Sequence, residues 1–175
     1  MLECMYERVF FVVHYRRYPV ERTIYVQTTG RLLPRRISQL LQELGYKVWI
    51  NPKQGNDVDL KTWYENELIL VSEILNWSIG SKISKKRLRK MISNMKKYNC
   101  KKLLIYTILD EESLSKFREN GIDTIQIGYQ LLPKCYHNFF DSKDQIERRK
   151  TDSKETRLDL KKKITAYLKR NGFHI

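Results

Sequence analysis

Asp57-Val58-Asp59-Leu60-Lys61-Thr62-Trp63-Tyr64, followed by Glu65-Asn66-Glu67 and then Leu68-Ile69-Leu70-Val71-Ser72-Glu73-Ile74-Leu75, decides the fold class. Two runs rich in β-branched and aromatic residues flank a short polar turn, which is the pattern of a β-hairpin. Working back along the chain, Tyr46 to Asn51 reads as a third strand. Before it, Leu33, Ile37, Leu40, Leu41 and Leu44 recur at spacings of three and four. That spacing predicts a helix from Thr29, with Pro34 tolerated in its first turn and Gly45 at its end. Working forward, Leu88, Met91, Ile92 and Met95 mark a helix over 82–98, and 103–108 is a strand of buried type. Residues 111–120 form a short helix closed by Gly121, and 124–127 begins another strand. The order α-β-β-β-α-β-α-β predicts an α/β fold with a mixed central sheet flanked by helices.

Two appendages are expected around this core of residues 30–133. In 1–29, the runs Arg8 to Tyr15 and Thr23 to Gln27, separated by a basic turn region with Pro19, read as an N-terminal β-hairpin. In 134–175, residues 141–171 mix charges with a sparse apolar stripe of Leu158, Leu160, Ile164, Tyr167 and Leu168. This predicts a charged C-terminal helical tail that is solvated or packs on a partner.

The 175 residues carry 34 Lys or Arg against 20 Asp or Glu, a net charge of +14. The hydrophobic fraction of 41% is too high for global disorder, and no apolar run is long enough to span a bilayer. The acidic, interrupted start Met1-Leu2-Glu3-Cys4 does not resemble a secretion signal. Cys4, Cys100 and Cys135 are odd in number and far apart, which supports neither a disulfide framework nor a cysteine zinc site. A cytoplasmic, membrane-free protein is expected.

The charge is concentrated. Between Glu73 and Asp110 there is no acidic residue, while Lys82, Lys85, Lys86, Arg87, Arg89, Lys90, Lys96, Lys97, Lys101 and Lys102 supply ten cations. Solvated helix faces usually mix signs, because like charges one turn apart repel. A one-sign face points to a polyanion, nucleic acid first, since neutralising phosphates releases condensed counterions. Lys82, Lys85, Lys86, Arg89, Lys90, Lys96 and Lys97 are the candidate phosphate contacts.

The acids just upstream are placed differently. Asp57 and Asp59, two apart on one predicted strand, share a face, and cross-strand pairing could bring Asp59 against Glu73. A carboxylate pair of this kind suits a hard cation such as Mg²⁺, which activates water and stabilises charge on a phosphate under attack. The same spacing also fits strand-end surface carboxylates partnered by lysines, and spacing alone leaves both open.

The run Gly55-Asn56-Asp57-Val58-Asp59-Leu60, the hairpin, and Leu68 to Trp77 together resemble the core of the PD-(D/E)XK nuclease superfamily, which includes restriction endonucleases and archaeal Holliday junction resolvases. The resemblance covers about residues 30–127 and includes the opening helix from Gly30-Arg31 to Leu44-Gly45-Tyr46. It implies a restriction endonuclease-like core and metal-dependent hydrolysis of DNA. Asp59 and Glu73 would be the metal carboxylates, with the main-chain carbonyl of Ile74 as a further ligand to Mg²⁺ or Mn²⁺. Two positions depart from the pattern. The lysine usual two residues after the glutamate is Leu75 here, and the acid found in some members near the middle of the opening helix is absent, with Arg35, Arg36 and Gln39 in that region. Lys61, two residues after Asp59 on the same predicted face, is the preferred substitute catalytic group; Lys82 and Lys85 are alternatives.

The leading expectation is therefore a DNA-binding, Mg²⁺-dependent endonuclease using Asp59, Glu73 and Lys61. The rival is a nuclease-fold protein without catalysis that serves as a DNA-binding, regulatory or assembly module. A third reading is a scaffold whose charged tail meets an acidic partner. A homodimer is compatible with the apolar surface of hairpin and tail, and the sequence does not fix DNA against RNA.

Overall fold

The computed structural model describes residues 19–52, 56–77, 82–133 and 149–174. The first helix, α1, runs Pro19–Glu43 and leads into β1 (Lys47–Ile50), β2 (Leu60–Tyr64) and β3 (Glu67–Leu75). Then come α2 (Lys85–Lys96), β4 (Lys101–Tyr106), α3 (Glu111–Glu119) and β5 (Asp123–Gln126). The chain closes with β6 (Gln130–Leu132), β7 (Arg149–Thr151) and α4 (Lys154–Arg170). The expected α/β class and the order of elements over 30–127 are observed.

Five strands form one sheet in the order β1-β2-β3-β4-β5. β1, β2 and β3 pair antiparallel, as a chain joined by short connections must, whereas β3, β4 and β5 pair parallel because α2 and α3 carry the chain back. The β2–β3 turn places Glu65 and Asn66 at φ of 46° and 73°. Positive φ at both central residues matches the right-handed twist of the flanking strands. Gly45, at φ of 90°, ends α1 in the left-handed region that the sequence anticipated.

Each sheet face has its own core. On one, Leu33, Ile37, Leu40 and Leu41 of α1 and Leu160, Ile164, Tyr167 and Leu168 of α4 pack on Leu70, Ile74, Leu103 and Ile105. On the other, Met91 and Met95 of α2 and Leu114 and Phe117 of α3 cover Val58, Val71, Leu75, Leu104 and Tyr106. A fully buried side chain of this size contributes about 1.5–3 kcal/mol. The helix spacing read from the sequence therefore identified the inward faces of α1 and α2 correctly.

Two outer expectations are corrected. Thr23 to Gln27 lies inside α1, not in a β-hairpin; residues 6–18 of that expected hairpin lie outside the described residues. Pro19 opens the helix, where its fixed φ suits the fold and its missing N–H is no loss. Extending an existing helix needs no new nucleus, and the penalty for β-branched residues is only tenths of a kcal/mol each. Pro34 consequently falls in the helix interior, not its first turn, and deprives the Gly30 carbonyl of its usual donor.

The C-terminal helix is likewise no solvated tail. Leu160, Ile164, Tyr167 and Leu168 are buried in the α1-side core, and only Leu158 of the expected stripe is exposed. Asp152, just before α4, is 3% exposed and accepts hydrogen bonds from Arg157 at 2.9 and 3.1 Å and from Arg36 of α1. At the end of β3, the Asn76 side chain donates to the Leu131 carbonyl at 2.7 Å and accepts its N–H at 2.8 Å, tying β6 to the main sheet.

Candidate active site

The acid pair forms where β2 begins. Val58, wholly buried against the α2–α3 side, anchors the segment and leaves Asp57 and Asp59 on either side of it. Neither aspartate lies within β2, whose first residue is Leu60, so the expectation of both on one regular strand is corrected. The register Leu60↔Ser72 and Lys61↔Val71 nonetheless carries Asp59 to the level of Glu73 and Ile74. Asp59 Oδ2 accepts the Ile74 N–H at 2.8 Å, and its carboxyl group is near enough to that of Glu73 for each to shift the other's ionisation.

Glu73 is 6% exposed. Burial and the neighbouring Asp59 charge push its carboxyl up to about 9. Burial also raises Asp59, against the opposing pull of the Ile74 N–H, the Glu73 hydrogen bond and the Arg87 charge. A buried acid beside a second carboxyl group ionises poorly without a compensating cation, so Glu73 keeps its proton near neutral pH.

The residues expected to bind metal thus come together. The Leu75 carbonyl accepts from Thr107 on the β4 side at 3.0 Å, so Ile74 turns its N–H and carbonyl to the opposite edge, where Asp59 stands. Two carboxyl groups and a carbonyl at this point are hard oxygen donors of the kind that Mg²⁺ takes together with water. Among the described residues no group of three or more His, Cys, Asp and Glu side chains is placed to hold a metal.

Lys61 is drawn elsewhere. Its Nζ lies 2.8 Å from Asp57 Oδ2 and 4.8 Å from the ring centroids of both Trp49 and Tyr98. The Tyr98 hydroxyl donates to both Asp57 oxygens, at 2.7 and 2.8 Å. Burial opposes the Lys61 charge, but the Asp57 carboxylate and the Tyr98 hydroxyl outweigh it and raise the ammonium above its ordinary value. Lys61 is a fixed positive charge, not a proton acceptor. Leu75 is 1% exposed in the α2-side core.

Among the described residues, Arg87, in the first turn of α2, is a cation whose charge pulls both carboxyl groups back toward ionisation. Its guanidinium lies 4.7 Å from the Trp77 ring centroid. Lys82, Lys85, Lys86, Arg89, Lys90, Lys96 and Lys97 are all exposed, as expected of a binding face. Three cations, Lys85, Lys86 and Arg87, fill the first turn of α2 and no acid does. A helix N-terminus is already positive, so each cation there opposes the dipole by about 0.3–1 kcal/mol. Ser84 caps that end, its side chain accepting the Arg87 N–H at 3.2 Å.

No family model, curated protein or solved structure matches this chain. The site is therefore read from its own geometry. Sequence reasoning had grouped Arg87 with the other cations without seeing that its charge is felt by both acids. It also missed Trp49 and Tyr98 as the walls around Lys61. The β1–β2 register, which sets Trp49 opposite Lys61, was the available signal for Trp49; nothing local points to Tyr98.

Proposed function

We propose that this chain binds nucleic acid, with DNA as the principal substrate, and hydrolyses phosphodiester bonds with Mg²⁺ or Mn²⁺ at Asp59 and Glu73. The observation that carries this reading is the pairing of Asp59 with the buried Glu73 under the charge of Arg87, in the destabilising cationic first turn of α2. Neither feature benefits the folded chain by itself. Both become favourable when a divalent ion and a phosphate are present, because each then meets opposite charge. The restriction endonuclease-like assignment draws support from the order α1-β1-β2-β3-α2-β4 and from antiparallel strands switching to parallel at β3, the strand that carries Glu73.

The residues have distinct roles. Asp59, Glu73 and the Ile74 carbonyl would hold the ion, which when bound supplies a Lewis acid and an activated water. The Ile74 N–H fixes one Asp59 oxygen. Arg87 keeps the pair ionisable and faces the phosphate. Lys61, charged and anchored by Asp57, stabilises developing negative charge without accepting a proton. Lys82, Lys85, Lys86, Arg89, Lys90, Lys96 and Lys97 grip the backbone.

A second reading is a nuclease-fold module that binds without cleaving. Leu75 favours it, since a buried leucine replaces the lysine of the related motif. Incubation with supercoiled, linear and branched DNA in Mg²⁺ or Mn²⁺ separates the two. Cleavage that disappears in Asp59→Ala and Glu73→Ala supports the enzyme. Binding without turnover supports the module, and cleavage surviving both substitutions overturns the site.

A further inference from the structure

We infer that Trp49 is a base-stacking residue that gives this site a preference for unpaired nucleotides. The inference rests on the nucleic-acid reading above and names the form of substrate it favours. Trp49 lies on β1, the outermost strand at its edge of the sheet, and at 38% exposure is one of the few large hydrophobic side chains left in solvent. Register pairs it with Lys61, so it shares the sheet face of Lys61, Val71 and Glu73. Strand spacing and rise put its Cα roughly 8 Å from that of Asp59.

Its ring is also held in place. The Lys61 ammonium sits 4.8 Å from the indole centroid and is itself pinned by Asp57 at 2.8 Å and by the Tyr98 ring, whose centroid is also 4.8 Å away. Tyr98 in turn is bonded to both Asp57 oxygens. An indole ordered in advance, backed by a fixed cation and partly exposed beside the acid pair, loses little freedom when a base stacks on it. Trp77, the tryptophan that follows Glu73 in sequence, is not equivalent: it is packed against the α2-side core, with Arg87 over its ring. Bases in a duplex stack on one another and offer no free face to a side chain, so a stacking residue this close to the acids discriminates by strand state rather than by sequence.

The test measures binding of a fluorescein-labelled oligothymidine and of a hairpin duplex with the same number of phosphates, at one fixed salt concentration with Ca²⁺ and no Mg²⁺. Wild type, Trp49→Ala and Trp49→Phe are compared. Trp49→Ala is expected to weaken binding of the single strand by about five- to 150-fold. Trp49→Phe keeps most of that affinity, and duplex binding stays within about twofold for both variants. Unchanged single-strand affinity in Trp49→Ala, or equal loss on strand and duplex, overturns the inference and leaves the proposed function standing. A wild-type protein that binds neither probe overturns both. Thermal melts of the variants, whose substitution lies at an exposed edge position, identify any loss that comes from unfolding.

Discussion

The Asp59 carboxylate accepts the main-chain N–H of Ile74 at 2.8 Å, so a side chain continues the β2–β3 ladder one step past its last backbone pair, Leu60 and Ser72. The aspartate that would bind metal is thereby fixed by the residue next to the glutamate that would share it. Both acids are placed by one local arrangement, and displacing either strand end disturbs both.

Conservative removal of either acid tests this directly. Asp59→Asn and Glu73→Gln should each lower metal-dependent cleavage by at least about 100-fold, beyond the 10- to 100-fold typical of outer-shell changes. Binding to the same DNA in Ca²⁺ should change by less than about threefold, read by fluorescence anisotropy.

Proton linkage supplies a second test. Glu73 keeps its proton up to about 9 in the folded protein, against 4.5 in the unfolded chain. Between those values the folded state binds the extra proton, so the contribution of this group to stability is full below about pH 4.5 and is lost as pH rises. In metal-free buffer the Tm of wild type should therefore fall relative to that of Glu73→Gln from about pH 5 to about pH 9. Mg²⁺ must displace the same proton, so its affinity, read by calorimetry, should rise with pH across this window.

The exposed cations of α2 should act through phosphate contacts. If about four phosphates are neutralised, log K against log salt should have a slope near −3.6 for duplex DNA. Replacing Lys86, Arg89 and Lys90 with Gln should bring the slope toward roughly −1 without lowering Tm. Removing Lys85 and Lys86 from the first turn of α2 should raise Tm slightly, because both oppose the helix dipole there.

Asp152 ties α1 to α4 through Arg36 and Arg157. Asp152→Asn should destabilise by about 2–3 kcal/mol in urea unfolding, below the 3–5 kcal/mol of a fully buried pair because Arg157 is half exposed. Burial raises the Asp152 carboxyl, but the two guanidiniums outweigh it and hold the carboxyl below its ordinary value. Its stabilising effect is present above the unfolded value and disappears as pH falls through the folded one. The difference in stability between wild type and Asp152→Asn should accordingly shrink in acid.

Within residues 30–127 the fold was legible because the helices and the central strands there bury a regular face. Leu33, Ile37, Leu40 and Leu41 mark one side of a helix, and Met91 and Met95 mark another. The alternation through Lys61, Thr62, Val71 and Glu73 set the register that brings the acids together. The outer elements were misread because local composition outweighed context. Thr23 to Gln27 has strand-forming residues, but it continues a helix that is already formed. Tyr167 and Leu168 looked too sparse for a core helix, yet the α1 side of the sheet supplies the rest of their surroundings. The partner chosen by Lys61 was not legible, because Tyr98 reaches Asp57 from beyond the end of α2, 41 residues along the chain.

The packing of Leu75 limits what can be built at that position. It lies at 1% exposure among Val71, Met91, Met95 and Leu104. A lysine introduced there would have to bring an ammonium into that hydrocarbon or give up its charge. Leu75→Lys is therefore a poor way to add a charged group to the proposed site. Directed selection for faster turnover should draw its gains from the rim around Arg87 and Lys61, where a new charged group can stay in contact with water.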